Sequence, residues 1–275
     1  MGDAVKDSLR AVLVRSAGVA PRHVVREFLQ VRLLEAMQHA GATSFLAFHG
    51  GTALRLLYQT PRFSEDLDFA YEPADGAFDL AALGAAIAHD LRQEAYDVEV
   101  AIKTATVVAK CLVKFRGILH EMGVSPLPDE TLLIKLEVDT DPPAGAVLAT
   151  SRVPRGYGPP VRVLHHDEAT LLAGKIAAVL TREWVKGRDV YDLVWYATNA
   201  AWPSPNLDYL DASVRQSGWS GPDVTEANWR TLTWQRLSDD ANWREVRGDV
   251  ERFVQRGRDV ELLSAEAVRL ALTGE

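Results

Sequence analysis

The stretch FHGGTALRLLYQTPRFSEDLDFA, Phe48 to Ala70, decides how this chain is read. It holds two adjacent glycines, a short helical run, a proline, and two aspartates one residue apart. The apolar run SFLAF (Ser44–Phe48) predicts a short buried strand that Gly50-Gly51 breaks. Thr52 to Gln59 predicts a short helix, and Pro61 ends it, because proline pushes the preceding residue out of the helical region. In SEDLDFA, Leu67 and Phe69 alternate with Asp66 and Asp68. Residues two apart on a strand share a face, so both carboxylates are expected on one side.

Further out, the pattern stays regular. Val24, Val25, Phe28, Val31, Leu34 and Met37 fall near helical spacing between Pro21 and Ala40, with Gly41 as a stop. Asp79 to Glu94 is an alanine-rich helix. Val98 to Arg116 is strand-like, with Lys110, Lys114 and Arg116 on one face. TLLIKLEVD (Thr131–Asp139) is a second such strand: Leu132, Ile134, Leu136 and Val138 point one way, and Lys135, Glu137 and Asp139 the other. Thr140 to Pro160 is rich in Pro and Gly and predicts a long excursion, after which VRVL adds a short strand. Helices follow from Glu168, with Asp167 as N-cap, to about Val185, and again from near Asp189. The remainder has five of the seven tryptophans and no lysine, and is expected to be helical and packed by aromatics. The division is a mixed α/β part, residues 1–165, and a helical part, residues 166–275.

The chemistry that suits these parts is nucleotidyl transfer. A glycine turn lets backbone approach a phosphate, and the helix after it offers free N–H groups and a positive dipole end. Thr52 can add a hydroxyl donor there. Magnesium takes hard oxygen ligands and few carboxylates, so Asp-x-Asp on a strand is a compact holder. Glu137 or Asp139, on a neighbouring acidic strand, would supply a third acid. Each piece alone has a plainer reading as a turn, a chance Asp-x-Asp or a solvated strand face. The order of strand, Gly-Gly, helix, Asp-x-Asp strand and acidic strand is what argues for function.

Composition sets the frame. The 275 residues carry a formal charge of −8, so a polyanion partner requires a local basic patch. A single cysteine, Cys111, excludes an intrachain disulfide and a cysteine-rich zinc site, and a cytoplasmic location is the expectation. The opening MGDAVKDSLRAVLVRSAG has acids near its start and no uninterrupted apolar core, unlike a signal peptide. No apolar run approaches the roughly 20 residues of a membrane span.

The opening stretch resembles the signature of the AbiEii/AbiGii-type nucleotidyltransferase toxins, members of the DNA polymerase β-like superfamily. IKLEVD and the later block EATLLAGKIAAVLTREWVKGRDVYDLVWY (Glu168–Tyr196) extend the resemblance, which covers Thr43 to about Thr198. It implies an α+β fold: a polymerase-β-like nucleotidyltransferase core with a mixed sheet, then a helical C-terminal part that completes the nucleotide site. It implies that Gly50, Gly51 and Thr52 contact phosphate and that Asp66 and Asp68 bind metal, with Glu137 preferred over Asp139 as the third acid. Ser64 matches a serine near the triphosphate that an antitoxin phosphorylates in some relatives. Lys175 matches a phosphate-contacting lysine, and Asp189 an aspartate needed for activity. Arg62, close to the aspartates, is a further candidate for triphosphate.

The implied protein is a toxin of a toxin–antitoxin system. It would transfer NMP from an NTP, a pyrimidine NTP by family, to RNA at the tRNA 3′ end, using Mg²⁺ or Mn²⁺, and so block translation. A cognate antitoxin would be its partner. The alternatives are a nucleotidyltransferase acting on a protein or small molecule, and a non-catalytic nucleotide-binding regulator. Among the other candidates, Arg188-Asp189 also suits a helix N-cap, and Asp192 is expected to support Asp189. The Lys103, Lys110, Lys114 and Arg116 strand is either a solvated face or an RNA contact. His49, His165 and His166, together with Tyr191, Trp195 and Tyr196, are expected to be structural.

Overall fold

The computed structural model describes residues 2–72, 78–154, 159–199, 201–255, 258–261 and 263–274. The chain divides into two compact units. The first is Met1–Gln59, Phe63–Pro142 and Thr150–His165; the second is Thr60–Arg62, Pro143–Ala149 and His166–Glu275. Among the described residues no helix is long and apolar enough to cross a membrane.

The first unit is built on a mixed sheet. Its strands are β1 (Leu46–His49), β2 (Leu67–Tyr71), β3 (Val98–Lys103), β4 (Val108–Arg116), β5 (Thr131–Asp139), β6 (Leu148–Val153) and β7 (Val161–His166), in the spatial order β3-β4-β5-β2-β1-β7-β6. β1 runs antiparallel to β2 and parallel to β7, and β2 runs parallel to β5. The alternation in β5 works as expected: Leu132, Ile134, Leu136 and Val138 are fully or almost fully buried, and the residues between them are half-buried. Burying each such side chain stabilises the fold by about 1.5–3 kcal/mol. β4 buries Ala109, Cys111, Val113 and Phe115 on the same side.

The helices of this unit are α1 (Gly2–Arg15), α2 (Pro21–His39), α3 (Gly50–Tyr58), α4 (Leu80–Gln93) and the short α5 (Ile118–Glu121). α2 buries Val24, Val25, Phe28, Leu34 and Met37, but Val31 is only half-buried. Its neighbour Arg32 is buried instead, held by Glu35 and Glu94. Apolar spacing alone does not foresee a buried guanidinium that brings its own counter-ions. α4 begins on the Asp79 cap, whose carboxylate accepts from the amides of Ala81 and Ala82. β6 lies within the Pro- and Gly-rich stretch read as an excursion. It is an edge strand with mostly exposed or half-exposed positions, so no apolar run marks it.

The second unit contains α6 (Glu168–Thr181), α7 (Gly187–Ala197), α8 (Leu207–Gln216), α9 (Trp229–Asp240), α10 (Trp243–Glu251), α11 (Arg258–Glu261) and α12 (Ala265–Thr273). The Asp167 side chain caps α6 by accepting from the Thr170 amide. α7 packs on α6, α10 and α12. The approach to α10 requires a glycine, because a Cβ on Gly187 would lie 1.9 Å from the Val246 carbonyl oxygen. Tyr191 and Tyr196 are core residues of this unit.

Candidate active site

Gly50 is the first residue of α3, directly after β1, so the helix starts two residues earlier than its sequence suggests. Its φ is +74°, a conformation that favours glycine, and a Cβ there would stand 2.5 Å from Asp68 Oδ2. The turn and the Asp-x-Asp strand, with fourteen residues between Gly51 and Asp66, are therefore in direct contact. β1 and β2 pair His49 with Asp68, and β2 and β5 pair Asp68 with Glu137. Residues paired across neighbouring strands share a face, so Asp68 and Glu137 stand side by side on the half-exposed face of the sheet.

Asp139 pairs with Ala70, one step further along, and its carboxylate accepts from the Asp141 amide at 3.1 Å. It closes the turn at Asp141-Pro142. Thr52 is fully buried, and its hydroxyl donates to the Asp66 carbonyl. The hydroxyl expected to reach phosphate is thus used to tie the helix start to the acidic strand. Ser64 is half-buried. Its carbonyl and that of Glu65 accept from the side-chain amide of Gln30 on α2, at 3.2 and 3.0 Å. Gln30 is a residue that sequence reading misses; its only signal is a glutamine on the apolar face of a helix.

Two lysines complete this face. Lys110 Nζ lies 2.9 Å from Glu137 Oε1, and Lys135 Nζ lies 3.4 Å from Asp66 Oδ2. Burial pushes the Asp66 carboxyl above its ordinary value; Lys135 pulls it back, and the Glu137 charge pushes it up again. The bond to Glu137 raises the Lys110 ammonium, with smaller contributions from Asp66 and Asp68. The donor set suits a divalent cation in kind: carboxylate oxygens on one face, close enough for Glu137 to act on Asp66. Among the described residues no three His, Cys, Asp or Glu side chains already converge as a ready-made metal group. The two ammonium groups draw Asp66 and Glu137 to themselves instead. Further along β4, Lys114 and Arg116 share one carboxylate, that of Glu99 on β3.

The second unit holds the other sequence candidates in a buried chain of charges. Lys175 on α6 bonds Asp189 Oδ1 at 2.9 Å and Asp192 Oδ2 at 2.8 Å, both on α7. Arg182 also binds Asp189. The structure places Arg62 here, not as an open contact for triphosphate: it is 2% exposed and grips both oxygens of Asp192 at 2.6 Å. Three cations thus surround two carboxylates. Burial pushes the Asp189 carboxyl up, but Lys175 and Arg182 outweigh it and hold it down at about 2. Asp189 is not the N-cap of α7; that position is Lys186, and Asp189 is buried in the first turn.

The chain's fold is that of solved nucleotidyltransferase structures. It is similar to MenT4, a nucleotidyltransferase toxin from Mycobacterium tuberculosis H37Rv, with a TM-score of 0.53 at 20% identity, covering 95% of this chain and 98% of that one. It is also similar to JHP933 from Helicobacter pylori, with a TM-score of 0.52 at 16% identity over 93% and 94%. A putative nucleotidyltransferase from H. pylori gives 0.51 at 16% identity over 90% and 95%. No curated protein matches the chain in sequence. An α+β core with a glycine turn against paired acids defines the class: a nucleotidyltransferase. The profile of the nucleotidyl transferase AbiEii toxins, of type IV toxin–antitoxin systems, matches residues 32–272, and the chain belongs to that family.

Proposed function

We propose that this toxin is a metal-dependent enzyme that transfers NMP from an NTP to the 3′ end of tRNA and thereby blocks translation. The observation that carries the site assignment is the contact of Gly50 with Asp68, itself register-paired with Glu137. In this reading Asp66, Asp68 and Glu137 hold Mg²⁺ or Mn²⁺. The engagement of Asp139 at its own turn supports Glu137 as the third acid. When bound, the metal neutralises charge on the phosphates and lowers the pKa of the attacking hydroxyl.

The protein's own residues do the rest. Gly50 and Gly51 bring backbone N–H groups to the triphosphate, and Ser64 lies near it. Thr52 and Gln30 hold the Asp66 segment in place. Lys110 and Lys135 balance the acids before substrate arrives. Lys175 contacts phosphate, with Asp189 and Asp192 holding its ammonium in position and Arg62 fixing Asp192. The acceptor oxygen bonds to the α-phosphorus as the bond to pyrophosphate breaks, and the hydroxyl proton passes to one of the three carboxylates. A pyrimidine NTP is the donor and a cognate antitoxin the partner, as the family implies.

The test is to incubate the protein with each α-labelled NTP, Mg²⁺ or Mn²⁺, and either total RNA or cell extract. Label is expected in tRNA, and Asp68→Asn or Lys175→Ala is expected to abolish it. Label confined to protein bands overturns the tRNA acceptor. Equal NTP binding by wild type and Asp68→Asn, with no acceptor labelled by either, favours a nucleotide-binding regulator.

A further inference from the structure

The first unit carries a second polar feature, away from the acids. A groove of about 690 Å³ is lined by Arg152 on β6 and Arg162 on β7, with Thr150, Ser44, Thr43 and Gln38 around them. Both arginines are exposed, and neither forms an ion pair with a described residue. Among the described residues no carboxylate lines the groove. This is unusual in a chain with 38 acidic residues and 30 basic ones, where Arg22, Arg26, Arg55, Arg116, Arg188 and Arg215 all have acidic partners. The Arg162 amide donates to Gln38 Oε1 at 2.6 Å, which fixes the backbone beneath the guanidinium.

The register places this groove relative to the acids. β7 pairs His165 with Phe48, and Arg162 is three residues earlier. Strand alternation then puts Arg162 on the face opposite His165, the face shared by His49 and Asp68. Arg162 is level with residue 45, four steps from His49; that is about 13 Å along the strands, or the rise of roughly four nucleotides of helical strand. Asp68 is also two strands away from β7, which adds about 10 Å across the sheet, so Arg162 is about 16 Å from Asp68, and a polynucleotide acceptor reaches both places at once. Guanidinium groups flanked by hydroxyl and amide donors suit phosphate oxygens.

We propose that the Arg152–Arg162 groove holds the phosphate backbone of the RNA acceptor while its 3′ end lies at Asp68. This rests on the reading of RNA as acceptor and adds where the protein grips it. The grip is electrostatic and independent of sequence, so it sets RNA affinity and leaves the chemical step alone.

The experiment compares the full chain with an Arg152→Glu/Arg162→Glu variant and with Arg152→Lys/Arg162→Lys. It measures binding of labelled tRNA over a range of salt, binding of polyglutamate, NTP binding, and the kcat and KM of NMP transfer to tRNA. The Glu variant is expected to raise KM for tRNA at least tenfold and to reduce the salt slope of binding by about 1.5, with kcat and NTP binding kept. The Lys variant is expected to stay near wild type. Unchanged KM and salt slope in the Glu variant overturn the groove while leaving RNA as acceptor. If wild type labels only protein, the acceptor reading has failed, and the groove proposal falls with it. Loss of polyglutamate binding with tRNA binding intact overturns the proposal in favour of an acidic peptide.

Discussion

Gly50→Ala tests the link between the glycine turn and the acids. Two costs arise from the structure. An L-residue at φ +74° costs about 1–2 kcal/mol. The new Cβ would also meet Asp68 Oδ2 at 2.5 Å, closer than real Cβ contacts allow, so the carboxylate must turn away at about 0.5–1.5 kcal/mol if it leaves its rotamer. The total is about 1.5–3.5 kcal/mol, below the ~5–15 kcal/mol stability of an ordinary domain, so the variant should fold. NMP transfer should nevertheless fall by two orders of magnitude or more, because the displaced group is a proposed metal ligand. Urea unfolding and transfer assays measure the two effects separately. A cycle with Asp68→Ala isolates the clash: the double variant should recover about 0.5–1.5 kcal/mol relative to the sum of the single ones. Wild-type transfer in Gly50→Ala, or a coupling of zero, would refute the contact.

Other predictions concern the buried charges and packing. Arg62→Ala leaves the fully buried Asp192 without its bidentate partner and should cost about 3–5 kcal/mol in urea unfolding; Arg62→Met with Asp192→Leu should cost less than the sum of the single changes. The Asp189 carboxyl is held at about 2, below its ordinary 3.8, so its contribution is present above pH 4 and lost as the pH falls through 2. That contribution is about 2 kcal/mol, and Asp189→Asn should flatten the stability–pH curve in that window. Gly187→Ala should destabilise by about 1–3 kcal/mol or more, since the Cβ meets fixed backbone of α10; thermal unfolding reads it. Burial pushes the Cys111 thiol up to about 12, so maleimide at pH 8 should label it only once the protein is unfolded.

How much of this was legible in sequence depended on the range of the cause. β5 was legible at its full length because alternation is local and its apolar side is buried throughout. The Asp167 cap was legible for the same reason. β6 was not, because an exposed edge strand needs no apolar residues. Thr52 looked like a phosphate donor because nothing local shows that the Asp66 carbonyl comes to it. Arg62 looked like a neighbour of Asp66 because it is four residues away, yet its partner Asp192 lies 130 residues further on.

By itself the sequence determined most of the element types, the family resemblance and the residues that carry charge. Spacing, capping chemistry and motif order are all written within a few residues of one another. Which of those charges meet was decided only by tertiary structure. Strand register set Glu137 beside Asp68, while Asp139 was taken by its own turn. Register also paired the lysines of β4 with acids and left Arg152 and Arg162 without partners among the described residues. Electrostatic contacts act over a few ångströms in space, and a linear chain does not state those distances until its strands are paired.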